Sequence, residues 1–158
     1  FFKQKTAYEI LTCDWSSDVC SSDLYGMLER DPTALDTDLK GALASFFGKP
    51  LLASHPICQH LVRRYGLDVT SFAWEPGEMP DAAEWRKLEE ALGSRRARWM
   101  LWEATPLGEI ASRLKGLGVG AIVFDPSPNV PGSGDFMALT RRNLANVRGG
   151  IRPMILSL

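Results

Sequence analysis

Apolar residues over 28–47 (Leu28, Leu35, Leu39, Leu43, Phe46 and Phe47) recur at intervals near three and four, the spacing of one face of an amphipathic helix. Gly48 is placed to end that helix, and Pro32 fits its first helical position after Asp31, where a missing N–H costs nothing. After residue 49 the pattern changes to short apolar runs separated by helical periods. Strands are predicted over 50–54 (PLLAS), 68–74, 97–102 (ARWMLW) and 120–124 (GAIVF). Between them, a helix is predicted over 56–65, with Ile57, Leu61, Val62 and Tyr65 inward and Gly66 as its stop. Another covers 81–92, with Trp85, Leu88 and Leu92 on one face and Gly93 closing it. A third covers 106–117, and GLGVG at 116–120 reads as the turn into the last strand. A final helix over 135–147 follows a Pro/Gly/Ser loop. The alternation predicts an α/β fold: a parallel sheet of about four strands with helices on both faces. The tail, 148–158, carries a Gly/Gly/Pro interruption before MILSL, so a last strand and a misassembled end are both open there.

Residues 1–24 (FFKQKTAYEILTCDWSSDVCSSDL) show no sustained periodicity, and 16–23 read as a loop. The segment resembles translated sequencing-adapter sequence and is expected to be foreign to the native chain. A signal peptide or a whole preceding domain would then belong upstream of it. On that reading Cys13 and Cys20 carry neither disulfide nor metal meaning, and Cys58, inside an apolar helical pattern, is a small buried hydrophobe.

Composition changes the picture mainly by exclusion. A chain of 158 residues makes one domain, or one lobe with an appendage. With 45% hydrophobic residues, 23% charged residues and a formal net charge of −1, it shows no disordered, collagen-like or membrane character. The near-neutral balance argues against nucleic acid as a partner. The short cluster Arg95, Arg96 and Arg98 reads as cations near a helix C-terminus.

In an open parallel sheet, ligands bind at the carboxyl ends of the strands, where loops converge and the following helices point their positive ends at the site. His55, Glu75, Glu103 and Asp125 follow the four predicted strands. All four can bind a metal or transfer a proton, although polar residues at such positions also cap the next helix. His55, between Ser54 and Pro56, offers a nitrogen suited to zinc and neighbouring transition metals; taken alone it is more simply a loop histidine. Asp125, in VFDPSP, offers a carboxylate, and taken alone is more simply a turn or capping residue. The pair on one rim is what supports half of a divalent-metal site. Glu103, in WEATP, reads as a hydrogen-bonding neighbour of the site or a cap for the helix at 106, and Glu75 and Glu78 as carboxylates at its mouth. His60, five residues after His55 on a helix, turns away from it and reads as structural or exposed. The sequence contains no nucleophile elbow, phosphate-cradling P-loop or dinucleotide-binding glycine motif.

The segments GKPLLASHPICQHLVRRYGLDVTSF, the Pro/Gly/Glu loop leading to Trp85, WMLWEATP, VFDPSPN and GDFMALTRRNLANV span about Leu39 to Val147. Together they resemble the C-terminal half of the cluster A-I metal-binding proteins, the solute receptors of zinc and manganese ABC importers. The resemblance implies two lobes joined by a long helix, with 25–48 the distal part of that helix and 49–147 the C-terminal metal-binding lobe. It implies that His55 and Asp125 are metal ligands and that two more come from an N-terminal lobe, one of them in a DPH motif that this chain lacks. Zn²⁺ as the transported ion is favoured by His55, with Mn²⁺ the alternative. Also implied are a non-enzymatic, monomeric receptor, periplasmic or extracytoplasmic with lipid anchoring as one mode, that hands its ion to an ABC permease membrane subunit.

Two other readings stay open. One is a Rossmann-like α/β enzyme with Glu103 or His55 as general base. The other is a metal-bearing interaction or adhesion module with tryptophans on its surface, although Trp85, Trp99 and Trp102 fall at core-compatible positions.

Overall fold

A computed structural model describes residues 17–56, 59–126 and 135–155. Residues 1–16, Ile57, Cys58, residues 127–134 and residues 156–158 lie outside that description, as do the side chains of residues 17–25, 27–29 (Leu28 among them) and 151–155. Residues 1–34 and 35–158 form two compact units.

Helix α1 spans Ser17–Leu43, which corrects two expectations. The segment expected to loop over 16–23 is helical from Ser17. It contains neither glycine nor proline, and Ser and Asp each cost a helix less than about 0.7 kcal/mol. Pro32 lies inside the helix rather than at its start. Proline removes one hydrogen bond and crowds the carbonyl four residues back, but its fixed φ is already helical. A single 3-10 turn, Ala44–Phe46, follows, and Gly48 then turns the chain with φ +69°, a conformation natural to glycine.

The four strands are β1 (Pro50–Ala53), β2 (Asp68–Ser71), β3 (Trp99–Trp102) and β4 (Gly120–Val123). They form one parallel sheet in the order β2-β1-β3-β4. The predicted sheet is therefore present, with strands shorter than the apolar runs. Pairing continues past the strand ends as single bonds: Phe72 N to Ala53 O at 2.9 Å, Trp74 N to Ser54 O at 2.8 Å and Phe124 N to Trp102 O at 2.7 Å.

Four further helices complete the fold: α2 (Gln59–Tyr65), α3 (Ala82–Arg95), α4 (Gly108–Gly116) and α5 (Phe136–Ile155). Alternate residues along each strand face opposite layers. Leu51, Ala53, Leu101 and Ile122 join Leu35, Leu39 and Leu43 of α1, Tyr65 of α2, and Leu144 and Val147 of α5 in one core. Leu52, Met100 and Trp102 join Trp85 and Leu88 of α3 and Ile110 and Leu114 of α4 in the other. The central strands β1 and β3 are buried on both sides, which is why they read as unbroken apolar runs, whereas the edge strand β2 is partly exposed along its length.

Two helix ends differ from expectation for identifiable reasons. Gly93 does not close α3, which runs on to Arg95; Arg96 takes the left-handed turn at φ 53° and donates its N–H to Leu92 O at 3.0 Å. A helical glycine costs only about 1 kcal/mol. The extra turn brings Arg95 onto Asp68 at 2.8 Å and onto the Thr70 hydroxyl, both on β2. Gly149 and Gly150 likewise fail to stop α5, which continues over most of the predicted tail. A β-carbon on Gly150 would lie 2.8 Å from Ile122 Cγ1, so this glycine lets the helix lie close against β4 rather than ending it.

Candidate metal-binding rim

All four strands point the same way, so the residues that follow them collect on one edge. The chain passes from β1 outward to β2 through α2 on one face. It then crosses back to β3 and on to β4 through α3 and α4 on the other face. The connections therefore diverge between β1 and β3, and such a switch point opens a crevice at the carboxyl ends of the strands. His55 follows β1 and Glu103 follows β3, on either side of that crevice, and Asp125 follows β4, one strand farther on.

The His55 ring is one-third exposed, and its Nε2 lies 3.8 Å from Glu75 Oε1. Its Nδ1 is enclosed and has no hydrogen-bond partner. The exposed side of the imidazole is therefore away from Nδ1. The carboxylate expected at the mouth does lie beside His55. The backbone beneath is held on both sides, with Ser54 N donating to Leu101 O at 2.8 Å and Ser54 O accepting from Trp74 N at 2.8 Å.

Asp125 is held by a different device. The buried Asn143 side chain on α5, 3% exposed, accepts from Asp125 N at 3.0 Å and donates to Asp125 O at 2.7 Å. One turn along, Asn146 Nδ2 donates to Val123 O at 3.0 Å. Sequence reasoning missed Asn143. Its signal was available: it falls between Leu139 and Val147 at four-residue spacing, a polar residue in an apolar stripe.

His55 and Asp125 line different hollows. His55 shares one with Phe72, Trp74, Glu84 and Lys87; Asp125 shares another with His60, Tyr65, Phe136 and Asn143. His60 is exposed, as expected, but it stands at the Asp125 end of the rim. In that hollow Arg64 donates Nε and Nη2 to Asp36, at 2.7 and 2.6 Å. Glu103 is half-buried after β3 and does not cap the following helix, whose N-cap position is Leu107 with no side-chain cap. That loop is tied instead through its backbone, Leu107 N to Pro76 O at 3.2 Å. Among the described residues, no three His, Cys, Asp or Glu side chains gather into a metal-holding group.

Residues 25–150 match the family described as ZnuA, zinc-uptake complex component A, periplasmic. The chain belongs to this family. No curated protein matches it by sequence. Among solved structures it resembles the metal-dependent lipoprotein YcdH of Bacillus subtilis, with a TM-score of 0.72, 15% identity, and 90% of this chain and 56% of that one covered. It resembles the Zn(II)-bound ZnuA-like domain of Streptococcus pneumoniae AdcA at a TM-score of 0.67 and 19% identity, over 82% of this chain and 51% of that one. The laminin-binding protein Lbp of Streptococcus pyogenes aligns with a TM-score of 0.61 and 15% identity, covering 92% and 57%. The likeness is one of fold, and the chain spans about half the length of these family-like structures.

Proposed function

We propose that this lobe supplies His55 and Asp125 to a divalent-metal capture site in an extracytoplasmic receptor that feeds an ABC importer. The observation that carries the reading is the parallel order of the sheet in a member of a zinc-uptake family. It sets both residues on one edge, His55 beside the crevice and Asp125 two strands away. Two strand steps of about 4.8 Å separate them by roughly 10 Å. Two side chains and two metal–ligand bonds of about 2 Å can span that distance.

Zn²⁺ is the favoured ion, because imidazole nitrogen suits zinc whereas a carboxylate-and-water set suits manganese. Zinc held by the protein alone takes four ligands, so this pair is half of a closed site, and residues outside 49–147 complete it. Glu75 and Glu103 stand at the mouth as outer partners that orient or attract the ion. The protein acts as a monomeric receptor rather than an enzyme, and its partner is the membrane permease. The adhesion alternative loses support from the tryptophans, since Trp74, Trp85 and Trp102 are all buried.

The test is zinc affinity in the full-length protein, measured by competition with a chromophoric chelator. His55→Ala and Asp125→Ala should each cost more than the ~10–100-fold that loss of an outer partner costs. Unchanged affinity in both variants would sink the assignment.

A further inference from the structure

Asp125 is the last residue of the rim before the chain leaves the sheet, and a carboxylate on a strand-end loop can act as a ligand only if its backbone is fixed. The structure fixes it from α5. Asn143 reads both polar groups of the Asp125 backbone at once, accepting from N at 3.0 Å and donating to O at 2.7 Å. Its side chain is 3% exposed, so it takes both bonds away from water. The same helix holds the strand behind Asp125 at two further places. Asn146 donates to Val123 O at 3.0 Å, and Gly150 lets α5 approach Ile122. These three residues lie at helical spacing, so α5 follows β4 from Ile122 to Asp125.

We infer that Asn143 is a positioning residue for metal capture: it sets the backbone plane of Asp125 and so aims the carboxylate at the ion. This inference rests on the reading of Asp125 as a ligand. Asn143 does not touch the metal. The amide suits the task because it carries donor and acceptor side by side. A hydroxyl is too short to bridge both groups, and an aspartate would set an oxygen against the Asp125 carbonyl.

The test compares zinc affinity in the full-length protein for Asn143→Ala, Asp125→Ala and the double variant, with unfolding of the metal-free forms followed alongside. Asn143→Ala should weaken zinc binding by ~10-fold or more. It should have no further effect once Asp125 is alanine, because a residue acting only through Asp125 is not additive with its loss. Asn146→Ala is the control: it loses a bond to the same strand and should lower stability while leaving zinc affinity within about twofold of the parent. If Asn143→Ala does not fold, Asn143→Ser supplies the same comparison.

Full affinity in the Asn143 variant, or a loss that adds to that of Asp125→Ala, overturns the positioning role while leaving the metal reading intact. An affinity loss in Asn146→Ala equal to that in Asn143→Ala overturns it as well, since the effect would then be one of strand stability. Undiminished zinc binding in Asp125→Ala removes the premise, and that outcome is separable because it does not involve Asn143.

Discussion

At the scale of single residues, one cluster makes a measurable statement about acid stability. Asp36 accepts bonds from Arg64 Nε at 2.7 Å, Arg64 Nη2 at 2.6 Å and the Tyr65 hydroxyl at 2.7 Å. Those bonds, the arginine's first, hold its carboxyl down at about 2 from the ordinary 3.8. Burial, and then the bond to Asp36, push the Tyr65 hydroxyl up. A depressed folded value means that the stabilising contribution is complete above the unfolded value and is lost as pH falls through the folded one. Urea midpoints measured between about pH 2 and 6 should therefore show an acid slope that is flatter in Asp36→Asn and reduced in Tyr65→Phe; an unchanged slope in Asp36→Asn would rule the cluster out as its source. Neither Asp36 nor Asn143 stood out in the sequence, because their partners are 29 and 18 residues away, beyond any local pattern. His55 and Asp125 did stand out, because each follows an apolar run whose end the sequence marks.

At the scale of elements, three glycines that look alike in the sequence separate by what surrounds them. A β-carbon at Gly120 would lie 2.2 Å from the Trp99 ring, and one at Gly150 2.8 Å from Ile122, whereas at Gly93 nothing lies within 4 Å. Gly120→Ala and Gly150→Ala should each destabilise by about 1–3 kcal/mol through forced displacement of packed side chains. Gly93→Ala, in open helix, should instead stabilise by roughly 0.5–1 kcal/mol. Denaturant unfolding of the three variants checks the signs, and a destabilised Gly93→Ala would contradict the observed continuation of α3. Helix periods were legible here, but helix ends only in part. Gly66, at φ +61°, does end its helix, whereas Gly93 and Gly150 do not, and only the neighbouring strand decides between those outcomes.

At the scale of the molecule, the sheet is held between two separate cores, one mainly aliphatic with Phe46, Tyr65 and Phe124 and one rich in indole rings. In the second, Trp74 lies 4.8 Å from Trp85 and 6.2 Å from Trp102 between ring centroids, and the Arg113 guanidinium covers Trp85 at 4.0 Å. Trp85→Ala should cost about 3–5 kcal/mol. Because Trp74, packed on Trp85, also lines the hollow of His55 together with Glu84 and Lys87 of α3, the folded fraction of this variant should bind zinc more weakly than the parent. Urea titration with and without zinc checks both parts; parental affinity in the folded fraction would show that the indole core does not shape the site.

Local pattern alone was enough for the α/β class, the four strands and the burial of both faces of β1 and β3. Each of those follows from the spacing of apolar positions over a few residues, and such spacing survives in any arrangement of the elements. Strand order does not follow from it. The sequence β2-β1-β3-β4 is what opens the crevice between His55 and Glu103 and sets Asp125 two strands from His55. The hold of Asn143 on Asp125, the passage of α5 through its glycines and the capture of β2 by Arg95 were also settled only in three dimensions. They depend on which distant surfaces meet, and contact between surfaces far apart in the chain is set by the packing of the whole.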